Sequence, residues 1–105
     1  MVTTAFQEKV YTATKLIPKG KVCTYKSLAT FLGSHPRAVG QALKKNPYAP
    51  EVPCHRVVAS DLSLGGFKGQ TKGKVLAEKK TLLEEEGVLF TASGEVFPNY
   101  VQELR

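Results

Sequence analysis

Three prolines fall within seven residues, at Pro47, Pro50 and Pro53. Each locks its own φ and removes a backbone donor, so 46–53 can be neither a helix interior nor a central strand. It is a stiff loop, and Val52-Pro53-Cys54-His55-Arg56-Val57-Val58 closes it. A cysteine and a histidine stand side by side there, with proline in front and arginine behind. A thiol beside an imidazole is the raw material of an activated sulfur nucleophile. A buried structural thiol is the plain alternative for Cys54 taken alone.

The other chain breakers divide the rest into short elements. Thr4-Ala5-Phe6-Gln7 matches a capping box, and Phe6, Val10, Ala13 and Ile17 follow it as a helical stripe. Pro18-Lys19-Gly20 stops that first helix. Lys21-Val22-Cys23-Thr24 reads as an extended link. Thr24 can cap a second helix, with Leu28, Ala29, Phe31 and Leu32 as its apolar positions and Gly33 just past its end. Pro36 suits the first position of a third helix, whose small apolar face is Ala38, Val39, Ala42 and Leu43. Lys44, Lys45 and Asn46-Pro47 end it. Two short helices joined by a tight glycine turn are either a helix-turn-helix or an ordinary helical hairpin.

Beyond the proline loop, 56–59 is β-prone. Residues 61–73 form a loop holding Gly65, Gly66, Gly69 and Gly73 with Lys68 and Lys72. Such a basic, glycine-rich loop is similar to a wing that tracks a phosphate backbone. No Gly-Lys-Ser/Thr follows at P-loop spacing. A last helix is predicted over 74–86, with Val75, Leu76, Leu82 and Leu83 inward and Gly87 as its stop. Residues 88–97, broken at Ser93-Gly94, suggest a small hairpin, and 98–105 a loosely packed tail.

Charge tilts the helix pair toward DNA. The net charge is +6, but 19–80 holds twelve of the fifteen Lys and Arg, Lys79 among them, against three of the nine acids. A middle stretch at +9 suits a polyanion, most simply nucleic acid; a solvated, soluble surface is the plainer account. With 105 residues and 42% apolar content, one domain over 1–105 is expected. No apolar run reaches the ~18 residues a membrane span needs, and the N-terminus shows no export signal, so an intracellular protein is expected. Two cysteines are too few for a disulfide framework, and Cys23 reads as a packed thiol. Cys54-His55 has no second pair at ligand spacing, which argues against metal. No resolving cysteine lies close enough for a redox role.

Taken together, these residues resemble the O6-alkylguanine-DNA alkyltransferases, or methylated-DNA–protein-cysteine methyltransferases. Pro53-Cys54-His55-Arg56-Val57 is similar to their active-site motif. The likeness runs in order from Phe6 through Gly87, about four-fifths of the chain. Pro18-x-Gly20-x-Val22-x-Thr24-Tyr25 precedes the helix pair. Arg37-Ala38-Val39-Gly40 resembles the family's arginine-finger helix, Asn46-Pro47 its hinge, and Leu82-Leu83-x-x-Glu86-Gly87 its closing helix.

The resemblance implies a mixed α/β, mainly helical fold, a winged helix-turn-helix-like alkyltransferase domain with short strands. It implies direct-reversal DNA repair: irreversible, stoichiometric transfer of a methyl or larger alkyl group from O6-alkylguanine to Cys54 after nucleotide flipping. The partner would be double-stranded DNA carrying that lesion, bound by a monomer, with cooperative binding an option and no cofactor or metal. The compartment would be the nucleus in a eukaryote and the cytoplasm otherwise. By the same resemblance, Cys54 is the nucleophile, His55 takes its proton through a water, and Glu86 orients the imidazole. Tyr25 helps rotate and bond the base. Arg37 fills the gap left in the stack, and Ala38, Val39 and Gly40 allow close approach to the minor groove. The backbone of Cys54 and Val57 accepts from the guanine amino group, the Lys68 N–H donates toward O6, and Phe67 lies near the base. Asn46, Pro53 and Arg56 are structural.

Departures are also plain. The N-terminal domain of the longer members, with any zinc site it carries, is not expected here. The stretch from Gly33 to Arg37 is two residues shorter than in those forms, and Phe67 stands where tyrosine is usual. The short length and the 93–105 extension resemble the alkyltransferase-like proteins. Those bind alkylated DNA without repairing it, pass the lesion to excision repair, and typically carry tryptophan or alanine in place of the cysteine. Cys54 and the absence of any tryptophan separate this chain from them.

Overall fold

The computed structural model describes residues 4–48, 51–65 and 73–104. Helix α1 spans Ala5–Thr14 and opens on a reciprocal capping box: Thr4 Oγ1 accepts from the Gln7 amide and Gln7 Oε1 accepts from the Thr4 amide. The helix ends before Ile17, which turns into the core from the following turn. Strand β1 is Cys23–Thr24, and Thr24 then caps α2, Tyr25–Leu32. Gly33 closes α2 at φ 69, and the Ser34 amide returns to the Ala29 carbonyl at 2.9 Å. That left-handed turn suits glycine. Helix α3, Pro36–Lys44, starts on its proline, and no side chain caps it.

A single 3₁₀ turn, Cys54–Arg56, runs straight into strand β2, Val57–Val58. Strands β1 and β2 pair in parallel, Cys23 opposite Val57 and Thr24 opposite Val58. A parallel pair needs a crossover, and α2, α3 and the proline loop supply it. Helix α4 spans Lys74–Glu85. The predicted hairpin over 88–97 is reduced to one antiparallel bridge, Phe90 with Val96.

Two expectations are corrected. The tail does not pack loosely: Val101 bridges Val22 in parallel, the Val22 amide donates to Tyr100 O at 2.9 Å, and the Gln102 amide donates to Val22 O at 2.8 Å. The extended link was free on that side, and a strand edge takes whatever chain can pair with it. Lys79, counted above with the basic surface, has no exposed area.

The strands separate two apolar cores. Cys23 and Val57 face α1, α2 and α3, joining Val10, Ile17, Leu28, Val39 and Leu43. Val22 and Val58 face the other way, against Leu83, Val88 and Val96. This is the period-two alternation of extended chain. Leu28 and Leu83 are fully buried, worth about 2 kcal/mol each in water-to-core transfer. Among the described residues no helix is long and apolar enough to cross a membrane.

Candidate active site

The approach to Cys54 is built before the residue itself is reached. Asn46 stands just past α3, where its side chain spans the loop: Nδ2 donates to the Val52 carbonyl at 3.0 Å, and Oδ1 accepts from the Tyr48 amide at 2.9 Å. The Cys54 amide donates to Val52 O at 2.8 Å, and the Arg56 amide to Pro53 O at 2.9 Å. The result is a tight turn with Pro53 buried and Cys54 only 8% exposed. Two contacts here had no signal in the sequence. Tyr11 donates its hydroxyl to Ala42 O at 2.7 Å, and its ring meets that of Tyr48 edge-on at 5.6 Å. They lock α3 and the loop after it to α1.

His55 points the opposite way from the loop, into a buried polar knot at the end of α4. Its Nε2 lies 3.0 Å from Glu86 Oε2. A carboxylate only accepts, so Nε2 carries the hydrogen and Nδ1 is left as the acceptor. Arg56 fixes the same carboxylate: Nε donates to Oε1 at 2.9 Å and Nη2 to Oε2 at 2.8 Å, while Nη1 reaches the Ile17 carbonyl at 2.9 Å. Glu86 stands at the C-cap of α4, and its carbonyl passes so close to Gly20 that a Cβ there would meet it at 3.1 Å. Gly20 also has φ 86.

Electrostatics follow from burial and these bonds. Burial would raise the Glu86 carboxyl, but the hydrogen bonds from Arg56 and then His55 outweigh it and hold the group at about 2. Burial pushes the His55 imidazole below its usual value, and Glu86 only partly offsets that. At neutral pH the pair is therefore a neutral imidazole donating to a charged carboxylate. Burial, with a smaller contribution from Cys54, drives the Tyr25 hydroxyl up to about 12, so it remains a phenol. Tyr25 is the first residue of α2, and Gly65 packs against its ring so closely that a Cβ there would lie 3.2 Å from it.

The Arg37–Gly40 stretch is split by helix geometry. Arg37 is exposed, Ala38 and Gly40 are half-buried, and a Cβ at Gly40 would meet nothing within 4 Å. Val39 is 0% exposed and belongs to the core. Four consecutive helical residues cannot share one face, so on the outer side only Arg37, Ala38 and Gly40 can touch a partner. The Val57 side chain is likewise in the core, and its carbonyl accepts from Lys79 Nζ at 2.7 Å. Phe67 and Lys68 lie outside the described residues. Among the described residues no three His, Cys, Asp or Glu side chains gather as a metal would require.

The family model for the DNA-binding domain of 6-O-methylguanine DNA methyltransferase matches residues 5–88. The chain belongs to that family. A methylated-DNA–protein-cysteine methyltransferase of Thermococcus sibiricus is 48% identical over 87 residues, which are 82% of this chain and 46% of that protein. The O6-methylguanine-DNA methyltransferase of Pyrococcus kodakaraensis superposes with a TM-score of 0.71 at 50% identity, covering 82% of this chain and 48% of that one. The chain thus spans about half the length of the curated relatives it matches. S. pombe Atl1, crystallised with damaged DNA containing O6-carboxymethylguanine, superposes with a TM-score of 0.79 at 35% identity, over 99% of this chain and 100% of that one. The fold is therefore the mainly helical alkyltransferase domain with a two-stranded sheet, as the motifs imply.

Proposed function

We propose that this protein repairs DNA by moving an alkyl group, once and irreversibly, from O6-alkylguanine to Cys54. The observation that carries the proposal is the placement of Cys54 at the head of a rigid turn whose next residue, His55, is held by Glu86. The thiol passes its proton through a water to Nδ1 of the neutral imidazole. The resulting imidazolium is stabilised by the Glu86 carboxylate, the nucleophile–base–orienter logic of the triads. The thiolate displaces the guanine at the saturated carbon: an S–C bond forms, the C–O6 bond breaks, and its electron pair stays on the guanine. No cofactor takes part, and the alkylated cysteine is not regenerated.

The base must leave the stack for this to happen. We assign Arg37 on α3 to the gap it leaves, with Ala38 and Gly40 allowing the duplex to approach. Tyr25, still protonated at physiological pH, donates to the flipped base. The Val57 carbonyl, which also accepts from Lys79, takes the guanine amino group, and the family resemblance alone assigns Phe67 and the Lys68 N–H to the base. Asn46, Pro53 and Arg56 hold the frame. The protein would act as a monomer, one domain over 1–105, inside the cell where genomic DNA lies.

The full-length match to Atl1 supports a second reading, lesion binding without transfer. Cys54 distinguishes them. After incubation with a duplex containing O6-methylguanine, the peptide holding Cys54 is expected to gain one methyl group. Tight lesion binding with Cys54 unmodified would leave only the second reading.

A further inference from the structure

The largest fully buried side chain among the described residues is not apolar: it is Lys79, with 0% exposure. Lysines normally run their stems along apolar surface and keep the ammonium in water. This one rises from the middle of α4 and donates to two carbonyls, Val57 O at 2.7 Å and Leu64 O at 2.5 Å. Its Nζ also stands 5.8 Å from the centre of the Tyr25 ring.

Those partners lie on the boundary of the proposed base pocket. Val57 follows directly on Cys54-His55-Arg56. Leu64 lies in the segment after β2, and the next residue, Gly65, packs on Tyr25. One cation therefore joins strand β2, Leu64 in the segment after it and the start of α2, and it does so from inside. Burying an ammonium is expensive even when it is hydrogen-bonded, and an apolar residue of the same volume would fill the space with less penalty. A role in shape, rather than in stability, accounts for it.

We propose that Lys79 is a positioning residue for alkyl transfer: by drawing the Val57 and Leu64 carbonyls together it sets the pocket wall that receives the flipped base. This rests on the function proposed above. Among the described residues, the titratable groups facing Lys79 include Tyr25 from α2 and Cys54 and His55 from the 3₁₀ turn. Strand β2 offers only backbone and valine, and the one acid of the 59–65 loop, Asp61, is exposed. Burial brings the ammonium down to about 7, partly opposed by Cys54. Charged donors bond more strongly than neutral ones, so the grip slackens as pH rises through neutrality.

The test uses the full chain and the variants Lys79→Met and Lys79→Arg. Amide hydrogen exchange at Ala59 and Leu62, whose amides donate within the loop, reads the clamp without DNA. Affinity for duplexes with and without O6-methylguanine, in a Cys54→Ser background, reads the pocket. Lys79→Met is expected to exchange at these amides about tenfold faster after correction for intrinsic rate, and to lose about tenfold in preference for the lesion, while undamaged DNA binds as before. Lys79→Arg, which keeps the charge, is expected to recover part of that preference. The wild-type preference should decline from about pH 6 to about pH 9, and the decline should vanish in Lys79→Met. Unchanged exchange and unchanged lesion preference in Lys79→Met overturn the proposal. If Lys79→Met does not fold, a flat wild-type preference across that pH range overturns it instead. Faster exchange in Lys79→Met beside a wild type with neither lesion preference nor transfer would sink the alkyltransferase reading and leave the clamp standing.

Discussion

The guanidinium of Arg56 takes both oxygens of Glu86, Nε on Oε1 at 2.9 Å and Nη2 on Oε2 at 2.8 Å. The oxygen held by Nη2 is also the one His55 touches. Arg56 thus does more than brace a loop. It orients the carboxylate that orients the imidazole, and its third donor ties the assembly to Ile17.

Glu86→Gln tests that chain of support. The amide keeps the size but has one acceptor oxygen and no charge, so Arg56 loses its fork and the imidazolium loses its counter-charge. The methyl-transfer rate is expected to fall about 100-fold and stability by about 2 kcal/mol. Single-turnover kinetics and urea unfolding measure the two. Full-rate transfer would remove Glu86 from the mechanism.

Acid should weaken the fold in two steps of the same sign. His55 sits below the unfolded value of about 6.5, so as pH falls through that range the unfolded chain binds a proton that the folded chain refuses. Glu86 is held at about 2 against about 4.3 unfolded; its stabilisation is complete above the unfolded value and is lost as pH falls through the folded one. Urea midpoints measured across this range should fall with acid, and Glu86→Gln should flatten the lower step only.

Gly20→Ala couples a turn to the site. The residue has φ 86, which disfavours any Cβ, and that Cβ would crowd the Glu86 carbonyl at 3.1 Å. A loss of about 1–2 kcal/mol is expected, with slower transfer because the crowded neighbour carries the carboxylate. A drop in thermal stability at an unaltered transfer rate would mean that the end of α4 adjusts without moving Glu86.

Arg37→Ala should leave stability within about 0.5 kcal/mol, since the residue is exposed. Affinity for a duplex with O6-methylguanine should fall further than affinity for undamaged duplex. Equal losses, with a salt-dependence slope lower by about one, would reduce Arg37 to a phosphate contact.

Much of this protein is written locally. Thr4 with Gln7, Thr24 and Gly33 set helix ends through bonds to residues three or four away, Pro36 opens α3 through its fixed φ, and all do so where the sequence places them. The prolines and Asn46 make the loop before Cys54, and the motif through Val57 names the chemistry. What stayed hidden depends on partners far along the chain. Nothing local says that 23–24 pairs in parallel with 57–58, or that the tail covers Val22. Of the acids Glu84, Glu85 and Glu86, only the resemblance singled out the last, and its geometry required α4 to end against Gly20 and Arg56. Lys79 looked like one more surface cation, and Val39 like part of an outward-facing patch. Whether a charge is solvated or buried, and which way a helix turns, is decided when elements pack, because burial is a property of the whole arrangement and not of the residue.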